Sequence, residues 1–215
     1  MKHISVFGYA LRKAKGRERK MKIIGLTGTV GCGKSTVGKL MQDNFSVKLV
    51  MTDKLGHFAM KRGNSGYEKV VNLFGSEILT ETDEIDRKIL GTIVFENKEK
   101  LDKLNGVIHP WVKQYLQEDI AKETQLGRYQ FYVIESAILF ETGLNDMCEE
   151  NWCIDTCDEI RRERLKVSRG YSDEKIASIL SNQGEKNYFM EHCDFIIENN
   201  RSLDDVLRQI EKLLV

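Results

Sequence analysis

Short, uninterrupted apolar runs rich in β-branched residues recur along the chain, at 23–27, 47–51, 131–134, 151–154 and 195–197. A strand buried on both faces reads this way, whereas a half-exposed strand alternates. Enough chain separates each run from the next for a helical crossover, so the pattern predicts a parallel five-stranded sheet with helices on both faces. Between 34 and 44 the apolar Val37, Leu40 and Met41 recur at spacings of three and four, which sets them on one side of a helix. From 53 to 127 no convincing strand is found. Helical spacing instead predicts helices near 66–74, 86–95, 98–105 and 111–123. They form a helical insertion (54–127) whose stripe of Leu101, Leu104, Ile108, Val112, Tyr115 and Leu116 belongs to a core. Pro110, the one proline, is expected to interrupt that stripe with a kink or a fresh helix start.

With 215 residues, 41% hydrophobic and 31% charged, the chain fits one globular domain with an insertion, not a disordered, collagenous or disulfide-stapled protein. The 33 basic and 33 acidic side chains balance, so no whole-chain charge argues for nucleic acid. The imbalance is local: residues 1–20 carry Lys2, Arg12, Lys13, Lys15, Arg17, Arg19 and Lys20 against Glu18. Their cations follow the apolar stretch at 4–11, where a signal peptide places them before it. We read 1–20 as an appendage, disordered or due to an upstream start, and 21–215 as the folded domain. No apolar run approaches the ~20 residues that span a bilayer. The five cysteines contain no CxxC, and with His57 and His192 they give no metal-ligand pattern. A cytoplasmic protein with reduced thiols is expected, with no nucleic-acid or membrane partner, as a monomer or weak homo-oligomer.

The strongest chemical signal is Gly28-Thr29-Val30-Gly31-Cys32-Gly33-Lys34-Ser35, followed by Thr36: a complete G-x-x-x-x-G-K-[ST] P-loop between a buried strand and a helix. Its glycines let consecutive N–H groups surround a phosphate chain, and the helix start adds its positive dipole end. Lys34 would reach the β and γ phosphates of a bound nucleotide as a point charge, and Ser35 would ligate Mg²⁺. A regulatory GTPase needs N-K-x-D, and Asn97-Lys98-Glu99-Lys100 lacks the aspartate. A motor ATPase carries a strand ending in paired acids, where Phe131–Ile134 is followed by Glu135 and Ser136. A small-molecule kinase is favoured. Its acceptor hydroxyl needs a carboxylate in line with the γ phosphate, and Asp53, just past the second strand, is the candidate, with a helix N-cap as its other reading. Cys32, at a helix N-terminus, is expected to have a lowered pKa and to make nucleotide binding sensitive to oxidation.

Residues 21 to 215 resemble the dephospho-CoA kinase family. Carrying the resemblance are the P-loop from Leu26 to Thr36, Thr52-Asp53, Asp86-Arg87 with Leu90, Leu104-Asn105 with His109-Pro110, and Leu139-Phe140-Glu141. Gln183, Asp194 and Asn199 then follow in the family's order. The resemblance implies the three-layer αβα fold of P-loop NTPases and transfer of the ATP γ phosphate to the ribose 3′-hydroxyl of dephospho-CoA. It also implies that Arg87 and His109 contact the acceptor, that Asn199 lies near the adenine, and that 158–183 is a lid whose Arg164, and less closely Arg169, face the phosphates. Glu135 would hold waters around the metal. Arg161 and Arg162 are read as solvated residues of an amphipathic helix. The chain departs from the family pattern at Met51 for an acid, Glu135 for aspartate, Ala137 for proline, Cys32 for serine and Ser168 for a second lid arginine. Another nucleoside, nucleotide or small-alcohol kinase, or a weakly catalytic ATP-binding regulator, stays open on the residues alone.

Overall fold

Ile24 and Leu26 are fully buried and only a turn separates their strand from the next helix, so the first strand must lie in the middle of the sheet. The computed structural model describes residues 20–181 and 183–214, without the side chains of 183–186. The appendage up to residue 19 and the side chain of Gln183 therefore lie outside the described residues. The strands are β1 (Lys22–Thr27), β2 (Val47–Met51), β3 (Phe131–Glu135), β4 (Glu150–Asp155) and β5 (Phe195–Glu198). They form one sheet in the order β2-β3-β1-β4-β5, and every pairing is parallel. The five expected runs thus become the five strands of an α/β fold.

The helices are α1 (Lys34–Asn44), α2 (Thr52–Ala59), α3 (Ser65–Phe74), α4 (Arg87–Phe95), α5 (Lys98–Leu126), α6 (Asp158–Arg169), α7 (Asp173–Leu180), α8 (Gln183–His192) and α9 (Leu203–Leu214). Alternate strand residues feed the two faces of the sheet. Val133 joins Val37 and Met41 of α1 and Val206 and Ile210 of α9, while Tyr132 and Ile134 join Val112 and Leu116 of α5 on the other side. The result is three layers. The segment between β2 and β3 is helical apart from a 3₁₀ turn and a single bridge between Leu79 and Ile85. It has its own cluster, Val70, Ile78, Ile85, Leu90 and Val94, against which Leu104 and Val107 of α5 pack.

Pro110 does not start a new helix: α5 runs unbroken through it from Lys98 to Leu126. The carbonyl that loses its donor is that of Gly106, four residues earlier. Gly106 is exposed and lacks a side chain, so water can satisfy that carbonyl while Ile108, Val112 and Leu116 hold the helix in the core. Helix α2 was foreseen only as the N-cap reading of Asp53; its Thr52, Leu55 and Ala59 are buried at helical spacing over only eight residues.

At the N-terminal edge of the sheet, Glu123 is buried against Arg128 Nε (2.9 Å) and Lys48 Nζ (2.9 Å). Asp119 accepts from Lys48 and, at 2.7 Å, from the Tyr132 hydroxyl. This network pins the end of α5 to β2 and β3.

Candidate active site

In an open parallel sheet, ligands bind outside the carboxyl ends of the strands where connections depart in opposite directions. Here that point lies between β1, which leads outward to β2, and β3, which leads to β4 on the other side. The loop 28–33 leaves β1 at this point, and in register Leu26 and Met51 both pair with Glu135, the last residue of β3.

Gly33 precedes α1 at φ 95°, and a Cβ there would lie 2.4 Å from Asn199 Nδ2, so only glycine fits. Lys34, 9% exposed, folds over the loop and donates from Nζ to the Gly28 carbonyl (2.7 Å) and the Thr29 carbonyl (3.2 Å). An ammonium has three donors, so one remains for a phosphate oxygen. The Lys34 and Ser35 amides, opening α1, have no intrahelical acceptor. Ser35 Oγ donates to Glu135 Oε1 at 3.3 Å.

Glu135 is buried, and burial pushes its carboxyl above the ordinary range. The Asp53 charge adds to that rise, while Lys34 and the Ser35 hydroxyl oppose it. Asp53 therefore lies within electrostatic reach of Glu135. It stands exposed in the first turn of α2, whose N-cap is Met51, so the N-cap reading of Asp53 is not what the structure shows. One turn on, His57 is pulled below its ordinary pKa by burial and by the Arg87 charge, with Asp53 opposing. Arg87 opens α4, whose cap, Asp86, accepts from the Lys88 amide (2.8 Å) and the Ile89 amide (3.2 Å). Asp53 and Arg87 thus both lie within electrostatic reach of His57. Sequence reasoning passed over His57, although its i+4 spacing from Asp53 was the available signal. His109 is half-buried on α5 and burial lowers its pKa; no hydrogen bond joins it to Asp53, His57 or Arg87 among the described residues.

The other wall comes from β4, β5 and α6. The Cys32 carbonyl accepts from Thr156 Oγ1 (2.9 Å), Asn199 Nδ2 (2.9 Å) and Arg164 Nη1 (3.2 Å). Arg164 Nη2 reaches the Asn199 carbonyl at 3.0 Å. Asn199 Oδ1 is buried without a partner. Arg164 and Asn199 are thereby brought to the loop. Arg169 is not: it is exposed and meets Tyr171, with Nη1 3.4 Å from the hydroxyl.

Two further expectations are overturned. The Cys32 thiol is 0% exposed in the core with Ile24 and Val37, and burial raises its pKa, outweighing the Lys34 charge; a reactive thiolate is not what this position makes. Arg161 is not solvated. It is 4% exposed, with Nε 3.1 Å from the Val30 carbonyl, whereas Arg162 is exposed as expected. Thr156, fully buried beneath the loop, was missed outright, because a lone threonine after a strand carries no motif.

A P-loop at the switch point of a β2-β3-β1-β4-β5 sheet, with a helical segment after β2 and arginines on the helix after β4, defines a P-loop kinase. The family model for dephospho-CoA kinase matches residues 22–205, and the chain belongs to that family. The dephospho-CoA kinase of Fusobacterium nucleatum is 35% identical over 194 residues, covering 88% of this chain and 95% of the relative. That of Saccharomyces cerevisiae is 31% identical, covering 90% and 82%. Among solved structures, dephospho-CoA kinase from Campylobacter jejuni aligns with a TM-score of 0.66 at 27% identity, over 89% of this chain and 94% of its own. Shikimate kinase from Bacteroides thetaiotaomicron, at 15% identity and a TM-score of 0.52 over 91% and 99% of the two chains, shares the fold.

No helix among the described residues is long and apolar enough to cross a membrane.

Proposed function

We infer that the chain transfers the γ phosphoryl group of ATP to the 3′-hydroxyl of dephospho-CoA, giving CoA and ADP. The observation that carries this reading is the meeting, at one switch point, of the Lys34 P-loop, the Ser35–Glu135 pair and the exposed Asp53, in a chain of the dephospho-CoA kinase family. Asp53 accepts or orients the acceptor hydroxyl in line with the γ phosphate. Lys34 neutralises charge on the transferring group, and Arg164, bonded to the Cys32 and Asn199 carbonyls, adds its positive charge from the α6 side of the loop. Arg87 and His109 belong to the helical segment that grips the acceptor. Residues 28–36 hold the nucleotide's phosphates, and Asn199 stands near its base. Of the 158–183 segment, Arg164 serves this site directly, while Arg169 could reach the phosphates only by movement of the outer part of the segment.

Mg²⁺ fits the Ser35–Glu135 pair. A hydroxyl and a carboxylate converge there, and the described residues contain no cluster of three His, Cys, Asp or Glu, the kind of cage that zinc uses. Mg²⁺ needs only one or two protein oxygens, because it keeps waters and takes phosphate oxygens. When bound, it supplies positive charge to the phosphates. Ser35 would contact it directly and Glu135 through water.

The test is ADP release from Mg-ATP by the purified protein, alone and with dephospho-CoA, adenosine or AMP. Stimulation by dephospho-CoA is expected. Stimulation by adenosine or AMP alone would keep the kinase and change its acceptor.

A further inference from the structure

Arg161 is a buried cation that no step above uses. The carboxylate it meets, Asp158 at 2.8 Å, is itself 43% exposed. A guanidinium removed from water needs hydrogen bonds and charge to offset its lost hydration, and a solvent-screened partner offsets it poorly. The arginine must therefore be held there by something other than that ion pair.

The geometry around it is ordered. Residues 161, 164 and 165 share one face of α6. Along that face Arg161 Nε donates to the Val30 carbonyl (3.1 Å), Leu165 packs on Gly31 so closely that a Cβ there would lie 3.0 Å from its Cγ, and Arg164 Nη1 donates to the Cys32 carbonyl. Three successive residues of the loop are each held by one residue of the helix. In a trans peptide the carbonyl and the following N–H point in opposite directions, and this chain has no cis peptide among its described residues. Drawing the Val30 carbonyl toward α6 therefore turns the Gly31 N–H away from α6, and drawing the Cys32 carbonyl does the same for the Gly33 N–H.

The two carbonyls are not equally secured. Among the described residues the Cys32 carbonyl has three side-chain donors, Thr156, Arg164 and Asn199. For the Val30 carbonyl the side-chain donor is Arg161. The peptide it holds leads into Gly31, at φ 83°, a residue whose backbone turns over with little steric resistance.

We propose that Arg161 is a positioning residue for the nucleotide: its guanidinium pins the 30–31 peptide so that the Gly31 N–H faces the phosphate chain, and its charge adds to the field behind the loop. This rests on the reading of loop 28–35 as the ATP site.

The test measures ATP binding without acceptor, by calorimetry, for the parent, Arg161→Gln and Arg161→Lys, together with the Gly31 amide resonance in ¹⁵N-labelled protein. We expect Arg161→Gln to weaken ATP binding about tenfold or more, the scale of one charge-assisted hydrogen bond. KM for ATP should rise in step while kcat and the acceptor KM stay within about threefold, as for a loss of uniform binding. Arg161→Lys, which keeps charge but not the planar fork, should recover part of the affinity. ATP should shift the Gly31 resonance in the parent and much less in Arg161→Gln, a change that a purely structural role would not produce. If Arg161→Gln does not fold, Arg161→Lys carries the same comparison, with weaker ATP binding and a smaller Gly31 shift than the parent expected. Parental ATP affinity and a parental Gly31 shift in the folded variant would overturn the proposal. A parent that binds no ATP would overturn both it and the reading of the site, whereas a parent that binds ATP but phosphorylates no acceptor would count against the assigned reaction alone.

Discussion

Ser35 Oγ and Glu135 Oε1 lie 3.3 Å apart, joining the first turn of α1 to the last residue of β3 across a hundred positions of sequence. Glu135 is buried, and burial raises its carboxyl while the Lys34 and Lys54 charges oppose that rise. Its role predicts a conflict between stability and activity.

Glu135→Gln should raise stability at neutral pH and lower activity. The folded state holds the Glu135 proton to higher pH than the unfolded chain does, so this group's contribution to stability falls as pH rises above the ordinary carboxylate range. Removing the charge lifts that penalty. We expect a higher melting temperature than the parent's at neutral pH, with turnover at limiting Mg²⁺ down at least tenfold and partly restored by excess Mg²⁺. Calorimetry against an Mg²⁺ titration of rate checks both.

Asp53 stands exposed in the first turn of α2, outside the loop 28–35 that reads as the phosphate cradle. Asp53→Asn should therefore lower kcat by about 10²- to 10⁴-fold, the range of a lost general base, and leave ATP affinity within about twofold. Steady-state rates beside ATP calorimetry separate the two. Turnover near the parent's would remove Asp53 from the reaction.

Gly33→Ala should abolish ATP binding, because the added methyl would meet Asn199 Nδ2 at 2.4 Å in a residue already at φ 95°. Relief requires moving Asn199 or the loop, and both form the site. Loss of nucleotide-induced thermal stabilisation in a variant that still melts cooperatively is the expected result.

The Glu123 network predicts the acid limb of stability. Hydrogen bonds from Arg128, then Lys48, hold the Glu123 carboxyl down to about 2. A depressed carboxylate stabilises the fold above its unfolded pKa and loses that contribution as pH falls toward the folded one. Melting temperature should fall between about pH 4.5 and 2 in the parent, and less steeply in Glu123→Gln, which starts from a lower value at neutral pH. Parallel curves would contradict the assignment.

What was legible in the sequence and what was not follows from range. The five strands and the P-loop depend on contiguous residues: Ile24 and Leu26 declare burial by their own chemistry, and Gly33-Lys34-Ser35 fixes a local geometry. Arg161 and Cys32 were misread because helix spacing and position say nothing of what packs from β1 and the loop. An arginine on a charged helix became buried, and a thiol at a helix start became core. The fresh helix start at Pro110 does not occur for a related reason: the proline's cost depends on whether Gly106 faces water or protein, which only the packing of α5 decides. Thr156 has no motif, and His57 has only its i+4 spacing from Asp53; Thr156 joins the site because β4 ends beneath the loop, and His57 because α2 carries it within electrostatic reach of Asp53 and Arg87.

The most direct measurement follows the phosphoryl group itself. The protein is incubated with γ-labelled ATP, Mg²⁺ and dephospho-CoA, and the products are separated and weighed by mass spectrometry. Label in a species that co-elutes with CoA, one phosphoryl group heavier than the acceptor, in step with ADP, is the predicted result. Label found in inorganic phosphate, with dephospho-CoA recovered unchanged, would contradict it.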